Sequence, residues 1–519
     1  MQGKAGLKLR TTQIGDVGVA WPVEKMLAAV DLGSNSFRLT IGKVIRSGLG
    51  EQVVAVDSLK ESVRLAAGMD VEGKLDVASL TRALETLKRF CERLRAFEPD
   101  AVRVVGTNTL RIATNVQHFL EAAREALGFP IEIIGGVEEA RLIYLGAAHG
   151  LPSDHQRRLV FDIGGGSTEC IVGTDYESTL IESVPVGCVA LSKNYFADGV
   201  VSKARFSRAV YAASDVLASV SGQFRQLGWE YAVGTSGTAK ALSTIASTMF
   251  GQENLTRAVL CEIERLLIEA GDVFEVQFQG LKADRRPVLA GGLAAMIAVF
   301  DEFGIEQMRY CPTALREGLL YDLIGRGSGN DIREITVEQM AVRYGVDLAH
   351  AGRIAGLAVS LFNQVTRGDA EAMRNRCDLL RWAATLGEIG MTVAHDGFHK
   401  HSAYLLMNSD MPGFTQSEQS LMSRIALGQI GGLRKLRDLV REDFEWLMIL
   451  SIRIASILHR HRDGEPVPLP ELSASRRSLK LKLPKDWANK HPLTDSTLRA
   501  EVETWAERDI FESFEYQTH

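Results

Sequence analysis

The sequence predicts an α/β protein in which two domains repeat one pattern and are followed by a helical domain and a short mixed tail. Three observations predict it. First, "AAVDLGSNSFRLTIG" (28–42) and "LVFDIGGGSTECIVG" (159–173) share one order of residues: an apolar run, Asp, an apolar residue, Gly, two small residues, Ser, then a second run closed by Gly. Their separation suits two copies of a domain rather than a short solenoid repeat. Second, from about Gly325 the texture changes, and residues 335–462 carry helical periodicity with little that reads as strand. Third, 519 residues are too many for one core, so roughly three or four domains are expected.

The elements follow in order. Met26 to Val30 is a continuous apolar run, Gly33 to Ser36 carry turn chemistry, and Phe37, Leu39 and Ile41 alternate with other residues, which reads strand, turn, strand. A helix is expected from about Asp76 to Ala96, with apolar residues at 80, 84, 87, 90 and 94. "AVRVVGTNTLRIA" is a strand ending in a Gly-Thr turn, and "PIEIIGG" is a strand whose two glycines open the helix "VEEARLIYLGAAHG". The second copy continues with "YAVGTSGTAKAL", a strand, a loop and a helix, and closes with the helix "ALREGLLYDLI". "PVLAGGLAAMIAVF" (287–300) is shorter than the ~20 residues of a membrane span and reads as a buried helix. "GEPVPLPE" breaks the chain at 464–471, after which Leu479, Leu481 and Leu483 alternate with Lys480 and Lys482 as a strand. The domains are therefore placed at 26–142, 143–326, 327–463 and 464–519, behind a loose leader of residues 1–25.

The composition excludes several classes. A net charge of −6 argues against a general nucleic-acid binder, although a local basic groove is compatible with it. The six cysteines are scattered with no Cys-x-x-Cys pair, which suits a reducing cytoplasm better than a disulfide scaffold or a zinc site. The leader has neither an apolar core nor a small-residue cleavage site, so no signal peptide is expected.

Glycine lets backbone N–H groups approach a ligand closely, and successive N–H groups in such a turn make a concave anion site. A strand-to-strand turn carrying Asp and Ser is therefore suited to a phosphate, with the Asp facing a hydrated divalent cation. Mg²⁺ favours one or two carboxylates, several waters and the substrate's own phosphates. One such turn alone is as well explained by a tight hairpin. Two at matching places, with two further Gly-Thr loops after strands, are not.

In order, "AAVDLGSNSFRL", "VGTNTLRIATN", "EIIGGVEEARLIYLGA", "LVFDIGGGSTE", "VGTSGTAKAL" and "ALREGLLYDL" resemble the motifs of the exopolyphosphatase and guanosine pentaphosphate phosphatase family, within the actin-like ATPase superfamily. The resemblance is strong over 26–325 and continues through "GFHKHSAYLLMNSDMPGF" (397–414), typical of longer members. It implies two ribonuclease-H-like domains facing a cleft, an all-α domain similar to the HD phosphohydrolases, and hydrolysis of a terminal phosphoanhydride by in-line water. It implies Glu139 as the catalytic base and Arg111 as an arginine near the phosphates, able to hold two phosphoryl oxygens. Glu138 is the rival base. On a helix the two glutamates point about 100° apart, so only one faces the water, and both are also explained as first-turn acids favoured by the helix dipole. Asp162, Glu169 and Asp31 are the expected metal ligands, although Glu169 is also compatible with a surface strand position. Ser34, Asn35, Ser36, Gly164, Gly165, Gly166, Ser167, Gly237 and Thr238 are expected to supply donors to phosphate, extended by Lys240. Arg316 and Glu317 are expected to hold the last helix of the second domain against the cleft.

The helical half departs from an HD site. Gly387 and Glu388 stand where His and Asp would be, and His395, His399 and His401 make an incomplete ligand set, read as structural or substrate-contacting. Arg434, Lys435, Arg437, Arg441, Arg453, Arg460 and Arg462, with Lys480 and Lys482, are a candidate track for a long polyanion, or else solvated helix faces. The leading expectation is an exopolyphosphatase acting on inorganic polyphosphate. The alternative is a guanosine pentaphosphate 5′-phosphohydrolase, and a third reading from another class is a non-catalytic nucleotide-binding regulator, which the intact glutamate of "VEEAR" argues against. A homodimer without nucleic-acid or membrane partners is expected.

Overall fold

The computed structural model describes residues 25–519 except 48, 49, 153, 329, 330, 367, 369, 410, 412, 441, 463, 476, 477 and 507–509; residues 1–24 of the leader and Arg441 of the candidate track lie outside the described residues. The first domain is a five-stranded sheet in the order β3-β2-β1-β4-β5, built from β1 (Met26–Leu32), β2 (Phe37–Ser47), β3 (Gly50–Glu61), β4 (Val102–Gly106) and β5 (Glu132–Ile133). β1 to β3 form an antiparallel meander, whereas β4 runs parallel to β1 and β5 parallel to β4. Helix α1 (Val77–Leu94) matches the expected helix, and Asp76 caps it by accepting from Ser79 N at 2.6 Å. The short α2 (Asn108–Ile112) occupies what the sequence suggests is a turn, and α3 (Val116–Leu127) follows it.

The second domain repeats the arrangement. β6 (Arg157–Ile163), β7 (Thr168–Thr174) and β8 (Glu177–Val184) form the meander, β9 (Tyr231–Thr235) runs parallel to β6, and β11 (Gln307–Tyr310) parallel to β9, with β10 (Leu255–Thr256) at the edge. The duplication read from the two Asp-Gly turns is thus a duplication of sheet topology, and the expected ribonuclease-H-like pair is present. Helices α5 (Cys188–Tyr195), α6 (Lys203–Leu227), α7 (Ser236–Phe250), α8 (Arg257–Ala270) and α9 (Arg286–Phe303) complete this domain. α9 contains the longest apolar run, and Leu289 to Phe300 are all buried against α5 and α6. No described helix is long and apolar enough to cross a membrane.

Two helices tie the domains together. α4 (Gly136–Gly150) leaves β5 and packs on β7 and β8 of the second sheet, while α10 (Leu315–Ser328) returns to β1, β2 and β3 of the first. A shared core joins Leu27, Ala29 and Val105 to Val160, Ile171 and Val233 through these helices. They approach so closely that a Cβ on Gly146 would meet Ala314 O at 1.8 Å, and one on Gly318 would meet Leu142 O at 1.8 Å.

The helical domain comprises α11 (Ile332–Arg343), α12 (Leu348–Val365), α13 (Ala370–Thr385), α14 (Phe398–Asn408), α15 (Gln416–Gly428) and α16 (Asp443–Leu458). Its apolar core is continuous with the small terminal sheet of β12 (Glu471–Ser475), β13 (Ser478–Leu483) and β14 (Ser513–Thr518), with α17 (Lys485–Lys490) and α18 (Pro492–Ala506) between the last two strands. Leu479, Leu481 and Leu483 turn inward from β13 as their alternation requires.

Candidate active site

Matching strand ends put the two Asp-Gly turns face to face. Asp31 lies near the end of β1 opposite Arg38 in β2, and Asp162 near the end of β6 opposite Glu169 in β7. The duplicated hairpin therefore carries a cation in one copy and an acid in the other at the same register position. Between the turns lies a cavity of about 320 Å³. Its glycines are dictated by close approach across the cleft. A Cβ on Gly165 would sit 2.9 Å from Ser34 Cβ, and one on Gly166 would sit 2.4 Å from Asn108 Oδ1.

Of the residues expected to form the site, Asp31, Ser34, Asn35, Ser36, Glu139, Asp162, Gly164, Gly165, Ser167, Gly237 and Lys240 line this cavity. Four others stand behind it. Gly166 packs on Asn108, and the Thr238 hydroxyl donates to Ile163 O at 3.0 Å. Glu169 is buried and accepts from Ser183 Oγ at 2.9 Å, so it does not occupy a surface strand position. Arg111 donates to Ile134 O at 2.8 Å and to Glu139 Oε2 at 3.2 Å, which makes it the partner of Glu139 behind the cavity. Arg316 both lines the cavity and donates to Thr40 Oγ1 at 3.0 Å, and Glu317 accepts from Ala314 N at 2.9 Å.

The two candidate bases separate completely. Glu139 faces the cavity. Glu138, one residue earlier on α4, points the other way, where Arg141 grips it at 2.7 and 2.8 Å and Gly413 N donates to it at 2.7 Å. The sequence did not single out Arg38, Lys60, Lys282 or Arg285, which join Lys240 and Arg316 as cations of the wall. Arg38 was signalled by its register with Asp31. Lys60 and Arg285 come from opposite domains and meet at the cleft, where Lys60 Nζ lies 2.8 Å from Asp284 Oδ2.

Burial pushes the Glu139 carboxyl up to about 7, Arg111 pulls it down, and Asp31 and Asp162 push it further up. Burial likewise raises Asp31 to about 6 against the pull of Arg38 and Arg316. Asp162 is raised by burial despite a 2.7 Å hydrogen bond from Thr235 Oγ1. Glu169 is raised strongly by burial and then by its neighbours Glu139 and Asp162. A carboxylate titrating near neutrality is suited to general-base work. The cavity also receives the N-terminus of α7, whose first residue, Ser236, holds a left-handed φ of 71° and donates through Oγ to Ile163 O at 3.1 Å. That conformation is uncommon for a non-glycine residue, and it aims the helix start, an anion-favouring end, at the cavity.

Among the described residues no three acidic, His or Cys groups converge into a protein-only metal cage. The donor set instead fits a hard cation held by one or two carboxylates, water and substrate phosphate, with Asp31 and Asp162 on opposite walls.

Among the described residues the helical domain gathers no three potential metal ligands. His399 is buried, and burial with nearby Lys435 and Lys400 pushes it down to about 4, so it is neutral at pH 7. Arg453 is buried and bound to Glu501 at 2.5 and 2.8 Å. Lys435 donates to Ile430 O at 2.7 Å, Arg462 to Glu388 at 2.6 Å, and Lys482 pairs with Glu471 at 3.4 Å. Arg453 is thus committed to a buried carboxylate, whereas Arg462 and Lys482 pair with acids at the surface.

Comparison with known proteins matches residues 44–326 to the Ppx/GppA phosphatase family and residues 332–502 to domain III of the Ppx/GppA phosphatases. A guanosine-5′-triphosphate,3′-diphosphate pyrophosphatase of Aeromonas hydrophila is 40% identical over 483 residues, covering 92% of this chain and 96% of the relative. The protein of the same name from Pseudoalteromonas translucida is 36% identical over 488 residues, covering 93% and 97%. An exopolyphosphatase structure from Cytophaga hutchinsonii aligns with a TM-score of 0.52 at 22% identity, over 58% of this chain and 98% of that one, which is a likeness of fold.

Proposed function

Because the chain belongs to the Ppx/GppA phosphatase family and is a phosphoanhydride hydrolase, we propose that its substrate is guanosine-5′-triphosphate,3′-diphosphate, which loses the terminal phosphate of its 5′ chain as orthophosphate. The observation that carries this reading is the near full-length similarity to relatives bearing that substrate's name. It reverses the order expected from the sequence, which put inorganic polyphosphate first. The burial of Arg453 against Glu501 is in keeping with it, since a cation so paired is withdrawn from any path that a long polyanion would need.

In this mechanism the terminal phosphate enters between the two Asp-Gly turns. The cationic wall of Arg38, Lys240, Arg285 and Arg316 offsets phosphoryl charge. The Ser34 and Ser167 hydroxyls and the N-terminus of α7 orient the oxygens. Glu139 takes the proton from the attacking water, and Arg111 holds the carboxylate in place and ionised near neutral pH. Asp31 and Asp162 would hold a divalent cation, Mg²⁺ being the natural choice, whose charge would neutralise phosphate oxygens when bound.

A substrate panel tests the reading. With Mg²⁺ present, kcat/KM for guanosine-5′-triphosphate,3′-diphosphate is expected to exceed that for polyphosphates of several lengths by at least tenfold, with orthophosphate and the corresponding tetraphosphate as products. A preference for polyphosphate of that size would return the assignment to exopolyphosphatase. No orthophosphate from either would leave a binding protein.

A further inference from the structure

The start of α4 has no side-chain cap. Its N-cap is Gly135 and its first residue is Gly136, so the backbone entering the helix is the freest in the alphabet. Yet the third and fourth helical residues include a base that must be held within a fraction of an ångström of a water. Glu138 ties this helix start to both neighbouring domains. Its carboxylate receives two hydrogen bonds from Arg141 at 2.7 and 2.8 Å and lies 3.5 Å from Arg103 NH2. Both arginines are tied in turn to Asp322 of α10, at 2.6 Å each. The remaining contact comes from outside the two cleft domains. Gly413 N, in the loop between α14 and α15 of the helical domain, donates to Glu138 Oε2 at 2.7 Å.

The residues that follow Gly413 are well anchored. Phe414 is buried with its ring edge against Trp382, the centroids 5.2 Å apart. Thr415 begins α15 with a reciprocal capping box with Glu418. α15 also packs against β5, the strand that leads into α4.

We propose that Glu138 is a positioning residue through which the helical domain holds the catalytic helix, so that adjacent Glu139 is presented to the cavity only while the Gly413 loop is docked. The helical domain then acts on the rate of the chemical step and not on substrate binding. This inference rests on Glu139 being the base.

The test uses the full chain and the better of the two substrates above, with kcat and KM measured per folded molecule after thermal unfolding confirms the fold. Glu138→Leu removes the acceptor for Gly413 N and is expected to lower kcat at least tenfold while KM stays within twofold. Glu138→Gln keeps an acceptor and is expected to stay within about threefold of the wild-type kcat. Thr415→Ala undoes the capping box from the helical-domain side, well away from the cavity, and is expected to lower kcat severalfold at unchanged KM; it decides the matter if Glu138→Leu fails to fold. A wild-type kcat with only a lowered melting temperature would make the contact purely structural and overturn the proposal. So would a raised KM at unchanged kcat, or a Glu138→Gln as slow as Glu138→Leu. Glu139→Gln, run alongside, separates the two ideas. If it keeps its turnover, the base assignment fails; if it is inactive while the Glu138 and Thr415 variants keep theirs, only the present inference fails.

Discussion

Replacing Arg111 by Met should move the acidic limb of the pH–rate profile upward without destroying the enzyme. In the wild type, burial lifts the Glu139 carboxyl to about 7, and the largest opposing influence is Arg111, whose NH1 lies 3.2 Å from Oε2. Two unit charges ~4 Å apart interact by roughly 4 kcal/mol at an effective dielectric of about 20. At about 1.4 kcal/mol per unit, that is at most about 3 units, and opposite charges at this range shift carboxylates by about 1–3 units in practice. A rise of about 1.5 units puts the base near 8.5, so at pH 7 only about 3% of it is ionised, against roughly half in the wild type. Turnover at pH 7 should therefore fall about 15-fold and return to within a few fold above about pH 9. Orthophosphate release at saturating substrate, measured from pH 5.5 to 10, reads both effects. An equal loss at every pH, with an unmoved limb, would refute the reasoning and show that Arg111 serves the phosphate directly.

Three more outcomes follow from the same geometry. Asp162→Asn should raise the Mg²⁺ concentration for half-maximal activity by at least tenfold, with partial recovery in excess metal, because a neutral amide is a poorer ligand for a hard cation; an unchanged titration would remove Asp162 from the cation's shell. Gly166→Ala should lower stability by about 1–3 kcal/mol and slow turnover, since its Cβ would lie 2.4 Å from Asn108 Oδ1, and chemical denaturation with a kcat assay reads both. In metal- and phosphate-free buffer the protein should melt higher at pH 5.5 than at pH 8. Glu139 is held near 7, above its ordinary 4.5, so the folded state binds more protons than the unfolded state in that window. Its protonated form is thus the better tolerated, and about 2 kcal/mol is lost between pH 5.5 and 8 as pH rises through 7. Glu139→Gln should flatten the dependence, and an identical slope in both proteins would show that the carboxyl is not desolvated.

Much of this was legible in the sequence because the chemistry is local there. The turns at Asp31 and Asp162 each read as strand, turn, strand within fifteen residues, and the helix opening at Gly136 announces itself by the glycine pair that ends the strand before it. What was not legible depends on pairing between distant segments. Glu138 and Glu139 are equivalent as letters, and only the placement of Arg141, Asp322 and Gly413 turns one of them away from the cavity. Lys60 and Arg285 enter the site only when β3 and the segment before α9 meet across the cleft. Arg38 could have been found by laying one hairpin over the other, since it stands where the second copy has Glu169. One basic residue of the helical half could have been set aside from the sequence. Arg453 sits in "ILSIRIASIL", apolar on all sides, and a cation in such a helix faces a buried carboxylate, here Glu501, and not a polyanion in solvent.

The central claim is that Glu139 activates the water. It is tested most directly by measuring kcat and, by calorimetry, substrate affinity in Glu139→Gln with guanosine-5′-triphosphate,3′-diphosphate at pH 7.5. The account predicts a loss of about 10²- to 10⁴-fold in kcat, with affinity within about threefold of the wild type. Turnover within tenfold of the wild type, or a loss of rate matched by a loss of binding, would contradict it.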